Sequence, residues 1–207
     1  MEKDFEFEID KINLIYFKSR QSFEIFKYVS SQVNLTDSFW IQIMYLSFKD
    51  TIIELDKLFS ENRNQKFRIR NLFNKLKKTG KYREYNFSKR TIMHWENELL
   101  RFQPTVETIR SLRDQHFAHT DKKDSIGFDT TSVDYRNIVD NSELESLFDF
   151  IKKVMTEIFS QCKQVHIDLE LFFSSSNIGI FKQLNDLRKY REKELNKRLN
   201  DYKKPSV

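Results

Sequence analysis

Between Arg110 and Asp121 the chain places two arginines, two histidines and two aspartates within twelve residues. A histidine can move a proton near neutral pH, and an arginine can hold an anion through two parallel hydrogen bonds. On a helical wheel started at Ile109, Phe102, Val106, Ile109 and Phe117 share one side, and Leu112 lies to the other. Arg113 falls at about 40° and His116 at about 340°, so both project from the middle of the apolar face. His119 lies at the edge of that face on the Leu112 side, and Arg110, Asp114 and Asp121 cluster on the opposite edge. A permanent charge on an apolar face is costly unless it is paired or solvated. Such a face lines a groove or a subunit interface as well as a core. The plainer alternative is that Arg113 pairs with a buried carboxylate and the histidines are satisfied core residues. One arginine and two histidines on adjacent turns, ending at a long polar loop, favour a site.

A second concentration of charge spans Lys66 to Arg90, where ten Lys or Arg stand against one acid, Glu84. The net charge of the whole chain is only +5, so the remainder is net negative. Phe67, Phe73, Tyr82, Tyr85 and Phe87 are interleaved with these cations. Basic charge with stacking rings suits single-stranded nucleic acid, with Lys77, Lys78, Lys81 and Arg83 as candidate backbone contacts. A solvated face of a Lys-rich protein is the alternative, since charge runs are common. The single cysteine, Cys162, excludes an internal disulfide and a multi-cysteine zinc site. It lies on an apolar stripe and reads as a small buried thiol. His94, beside Trp95, reads as packing. No convincing metal-ligand set and no cofactor motif appear. The N-terminus is acidic and lacks an apolar run, and no stretch approaches a membrane span. A cytoplasmic location is expected by default.

The elements that must position these groups are helices. Three glycines and two prolines in 207 residues are too few for the turns of a strand-rich fold. Twenty phenylalanines predict an aromatic core. Three-four apolar spacing predicts a helix over about Asp10 to Ser31 and a second from Thr36 or Asp37 through Phe59. A short basic helix should stop at Gly80 in a left-handed conformation. Ser88 should cap a fourth helix, and Pro104 should open or kink the helix that runs to about His119. Residues 120–140 read as the longest loop. Ser142-x-x-Glu145 reads as a capping box for a helix to about Val165. After a break at Ser174-Ser-Ser-Asn, a charged helix over Ile180 to Tyr202 carries a thin apolar stripe. The expected fold is all-α, an antiparallel bundle of five or six main helices plus that charged C-terminal helix. The division expected is 1–173 for the bundle and 174–207 for the last helix, packed on the same domain or on a dimer partner.

Leu112-Arg113-Asp114 through Ala118-His119-Thr120-Asp121 resembles the signature of HEPN domains, an arginine followed by a histidine after four to six residues. Here five intervene, and the polar Asp114 after the arginine fits the pattern. Phe39-Trp40, the Leu55-x-x-Leu58-Phe59 ending and the Ala118-His119-x-Asp121 close resemble the abortive-infection branch of that superfamily. The likeness covers roughly residues 37 to 165. It implies a helical bundle, usually a homodimer, whose two Arg–His motifs meet in a cleft. Many such domains are metal-independent ribonucleases of toxin–antitoxin or phage-defence systems, and others are binding modules without activity. An antitoxin protein is then among the implied partners, along with RNA. Asp121 stands where one branch carries a tyrosine modified by a partner nucleotidyltransferase, so that regulation is not implied.

The residue types fit this chemistry. RNA carries its own nucleophile, the 2′-OH, beside the scissile phosphate. His119 is the candidate general base, and Arg113 the phosphate clamp that stabilises developing charge. His116 is either the acid or a shaping residue, with Asp114, Arg110 and Asp121 in support. Cleavage would leave a 2′,3′-cyclic phosphate. Arg113 and His119 stand about 120° apart on an ideal helix, so they cooperate only if the helix end distorts or a partner subunit completes the site. The alternatives are a non-catalytic HEPN module binding RNA, a nucleotide or a protein, and a helical interaction protein in which Arg113 is structural.

Overall fold

With so few breakers the chain runs in long helices. A computed structural model of the protein describes residues 2–32, 38–62, 64–114, 139–163 and 176–202. Seven α-helices lie among them, namely α1 (Glu2–Gln32), α2 (Ser38–Phe59), α3 (Ile69–Leu76), α4 (Lys89–Arg101), α5 (Gln103–Leu112), α6 (Asn141–Lys163) and α7 (Ser176–Tyr202). A short 3-10 turn covers Arg83–Tyr85, and no strand occurs among the described residues. The architecture is the all-α bundle expected from the apolar spacing.

The hairpin of α1 and α2 is the frame on which the rest is laid. Ser22 donates to Asp50 at 2.5 Å, and the rings of Phe26 and Phe48 sit 4.9 Å apart. Moving forward along α1 thus means moving backward along α2, which makes the pair antiparallel. Helices α6 and α7 pack on α1, α5 on α2, and α4 bridges α3, α5 and α6. Phenylalanines fill the seams. Phe23 stacks with Phe148 at 5.3 Å, and Trp95 is fully enclosed between Phe73 and Phe87, each 5.5 Å away. The indole N–H of Trp95 donates to Glu157 at 2.8 Å, so the buried ring keeps its polar edge satisfied.

Several local expectations are corrected. Helix α1 begins at Glu2 rather than Asp10, because Phe5 and Ile9 extend the buried stripe of Ile12 and Tyr16 by two turns. Gly80 does not adopt a positive φ. It is required for another reason, since a Cβ there would lie 2.2 Å from the Lys75 carbonyl oxygen. The left-handed residue of this region is Asn86, at φ 53°. Ser142 does not form a capping box. Asp140 caps α6, its carboxylate accepting from the Ser142 N–H at 2.8 Å. Glu145 instead binds Arg20 and Lys27 of α1. His94 is exposed and faces Glu98 and Lys153, so it is a surface residue and not packing. Cys162 is half-buried against the core. Ser88 caps α4 as expected, accepting from the Thr91 N–H at 2.9 Å. Helix α7 reaches back to Ser176 and exposes Leu184, Leu187, Tyr190 and Leu195.

Candidate active site

Helix α5 opens with Pro104 in its first turn and buries Val106, Ile109 and Leu112 against α2. That packing brings the C-terminal end of α5 beside the C-terminal end of α2, where Asp56 is buried among Leu55, Leu58 and Phe59. Arg113 Nη1 donates to Asp56 Oδ2 at 2.7 Å. Its Nε and Nη2 both reach Asp114 Oδ1, at 2.9 and 2.6 Å. One turn earlier, Arg110 lies 3.4 Å from Glu61 just beyond α2. Over Arg113 and Asp114 the helix widens into a π-type turn, a distortion often found at functional positions.

The exposures sort the roles. The Arg113 side chain keeps 33% of its surface open, Asp114 keeps 51%, and Asp56 only 6%. Arg113 is therefore neither sealed in the core nor free in solvent. Asp56 holds it from beneath through one nitrogen, and Asp114 covers its outer edge. A guanidinium has five N–H donors, and the contacts to Asp56 and Asp114 are those it makes among the described residues. Burial pushes the Asp56 carboxyl above the usual aspartate range. The charges of Arg113 and Arg110 pull it down without cancelling that effect, and the neighbouring Asp114 carboxylate adds to the rise.

Of the groups singled out in the sequence, the structure brings Arg110, Arg113 and Asp114 to one corner of α5 and α2. His116, His119 and Asp121 lie outside the described residues. The basic segment is arranged differently from its sequence pattern. Phe73, Tyr82 and Phe87 are buried and Phe67 and Tyr85 pack on the core, so the interleaved rings are core residues and not open stacking faces. Lys78 and Arg83 are exposed, Lys77 pairs with Glu96 at 2.6 Å, and Lys81 pairs with Asp4 at 2.9 Å. Lys75 and the Tyr82 hydroxyl both bind the buried Glu8 carboxylate, at 2.6 and 2.7 Å. The acidic start of α1 thus offsets part of the basic turn.

Asp56 is the residue that sequence reasoning missed. An arginine on an apolar face called for a carboxylate partner, but Glu8, Glu54 and Asp56 are all buried acids. The available signal was its place beside Leu55, one position off the apolar stripe of α2. Among the described residues no three His, Cys, Asp or Glu side chains form a group that could hold a metal ion. No helix among them is long and apolar enough to cross a membrane.

In the sequence five residues separate Arg113 from His119, the spacing that resembles the HEPN signature. A family model described as AbiU2, of the HEPN group, matches residues 20–176. That is well over half of the chain, and the chain belongs to the AbiU2 family of HEPN domains, in the abortive-infection branch. Comparisons with curated proteins and with solved structures return no match.

Proposed function

We propose that this chain is a cytoplasmic, metal-independent endoribonuclease of a toxin or phage-defence system, acting as a homodimer. The observation that carries the reading is the state of Arg113, anchored by a buried aspartate yet one-third exposed, three and six positions ahead of His116 and His119 in the sequence. Among the described residues its outer Nε–Nη2 edge is covered by the exposed Asp114, and that edge has the geometry to take two phosphate oxygens. An incoming phosphate displaces Asp114 into solvent, while Asp56 keeps the guanidinium in place.

The step is an in-line transfer. The 2′-oxygen attacks phosphorus, His119 takes the 2′ proton, and the 5′-oxygen leaves with a proton supplied by His116. The products are a 2′,3′-cyclic phosphate and a free 5′-hydroxyl. Arg113 stabilises charge gathering on the non-bridging oxygens. The cations Lys77, Lys78, Lys81 and Arg83 hold the backbone further along the strand. The bundle of 1–173 carries the motif, the helix of 174–207 packs on it or on the second subunit, and an antitoxin protein would restrain the activity.

The test is incubation of the purified protein with single-stranded RNA and its DNA counterpart in EDTA. Cleavage of RNA alone, ending in a cyclic phosphate, is the expected result. His119→Ala should slow it by about 10²–10⁴-fold. A second reading is favoured by the pairing of Arg113 with two carboxylates, which leaves little free positive charge at this corner. In that reading the domain binds RNA, a nucleotide or a protein without cutting. Binding that resists every attempt to detect cleavage would select it.

A further inference from the structure

Away from Arg113, a cavity of about 300 Å³ opens between the turn that follows α3 and the first turns of α4. This is the lower end of the size range of small-ligand sites. Phe87 and Ile92 form its floor and are 3% and 2% exposed, while Met93 stands at its lip, 48% exposed. Methionine at a lip adapts to the outline of what enters. The rim is cationic. Lys77 is committed to Glu96 and to Asn74, but Lys78 and Lys89 have neither a hydrogen bond nor an ion pair among the described residues.

The rim is also fixed in place. The Gly80 N–H closes the turn onto the Lys77 carbonyl at 2.7 Å, and the Tyr82 N–H bonds to the Lys75 carbonyl at 2.7 Å. Backbone approach here is so close that a Cβ at Gly80 would collide with two carbonyl oxygens of α3. Lys78 and Thr79, between those anchors, are therefore carried on a rigid turn over the cavity. A preformed apolar slot beside two uncommitted ammonium groups suits a ligand with one flat, weakly polar ring and an anionic group within a side chain's reach.

We propose that this cavity is a nucleotide subsite for single-stranded RNA. One unstacked base enters the slot against Ile92, Met93 and Phe87, and its flanking phosphates lie on Lys78 and Lys89. Thr79 and the Lys77–Glu96 pair offer the base edge a hydroxyl, a donor and an acceptor. The subsite rests on the RNA reading above for the source of its nucleotide, and it gives the protein a base-dependent contact that backbone cations cannot supply.

The experiment measures binding of a short fluorescent single-stranded RNA by anisotropy, with the full chain and with thermal melts to confirm folding. Lys78→Glu/Lys89→Glu should weaken binding by at least tenfold and make its logarithmic salt slope shallower by about 1.4, about 0.7 for each phosphate contact. The charge-matched control Lys18→Glu/Arg101→Glu should change binding less than threefold. Met93→Trp leaves the charge unchanged but fills the slot, and should weaken the intact oligomer while leaving an abasic oligomer unaffected. Equal losses in the two charge-reversed pairs, or no effect of Met93→Trp, would overturn the subsite. If the slot variants lose binding but the wild type never cuts RNA, the subsite stands and the nuclease falls. If wild type and slot variants bind and cut alike, the nuclease stands and the subsite falls.

Discussion

Removing the two members of the Arg113–Asp56 pair should have unequal consequences. Asp56 is almost wholly buried, and burial raises its carboxyl further than the two nearby arginines lower it. The ionised carboxylate is thus less comfortable in the fold than in water. Asp56→Asn keeps the volume and an oxygen to accept from Arg113 while removing that cost, so its effect should stay within about 1 kcal/mol, the net worth of one hydrogen bond. Arg113→Ala leaves a buried carboxylate without its main partner. Breaking a fully buried pair costs about 3–5 kcal/mol, and because Arg113 is one-third exposed about 2–3 kcal/mol is expected here. At about 2–4 °C per kcal/mol for a chain of this size, the melting temperature should fall by about 4–12 °C. The double variant should recover most of that loss, because no uncompensated charge remains. Thermal and urea melts followed by far-UV circular dichroism measure all three. The pH dependence gives a second check. The native state holds the Asp56 proton more tightly than the unfolded chain does, so stability should fall as pH rises from the unfolded aspartate value of about 3.9 toward the higher folded one. Asp56→Asn should abolish that slope. If Asp56→Asn costs as much as Arg113→Ala, and the double variant is their sum, the argument from desolvation is wrong.

Gly80→Ala should lower stability by about 1–3 kcal/mol, because the added methyl meets backbone oxygens and not a movable side chain; an unchanged urea midpoint would refute the close-approach account. Burial would raise the Glu145 carboxyl, but hydrogen bonds and charge from Lys27 and Arg20 outweigh it and hold it below the usual range. Its contribution is present above the unfolded glutamate value of about 4.3 and is lost as pH falls through the lower folded one. Glu145→Gln should therefore destabilise at neutral pH and flatten the acid limb of the stability curve. Trp95→Ala should cost about 3–5 kcal/mol, since it empties the junction of Phe73 and Phe87. Trp95→Phe, which keeps most of the volume and strands Glu157, should cost less in an equilibrium melt.

What the sequence made legible follows from the range of the interactions involved. The helices announce themselves through contacts three or four residues apart, and the Ser88 cap is equally local. The cap of α6 is not legible locally, because Asp140 and Ser142 both have suitable side chains and the position of α1 decides between them. With Arg20 and Lys27 facing it, Glu145 is drawn across to α1 and Asp140 is left to hold the helix start. The aromatic residues of 66–90 were ambiguous for a similar reason. Composition records that rings and cations alternate, but only the seat of α3 on the core shows that the rings turn inward. Arg113 itself was legible, since a charge on an apolar face must have a partner. Which of three buried acids it takes depends on how α5 crosses α2, and no local pattern carries that.

The placement of Arg113 also bears on how such a domain can be both stable and poised. A guanidinium free in solvent would bind phosphate but would have no defined direction, and one sealed in the core would have direction but no access. In the phosphate-clamp reading proposed above, Asp56 and Asp114 divide these demands. The buried acid contacts Nη1 and fixes the plane of the fork. The exposed acid covers the Nε and Nη2 edge with a group that can swing into water at little cost. Asp114→Asn should then strengthen the hold on a phosphate by removing a competing charge, whereas Asp56→Asn should loosen its direction. In phosphate titrations followed by the Arg113 side-chain resonances, the first variant should bind more tightly than wild type. The second should bind with similar affinity but with a more mobile guanidinium. Tighter binding in both would mean that the two acids act only through their charge. The division of labour between anchor and cover would then have to be abandoned, leaving Asp56 as one more negative neighbour.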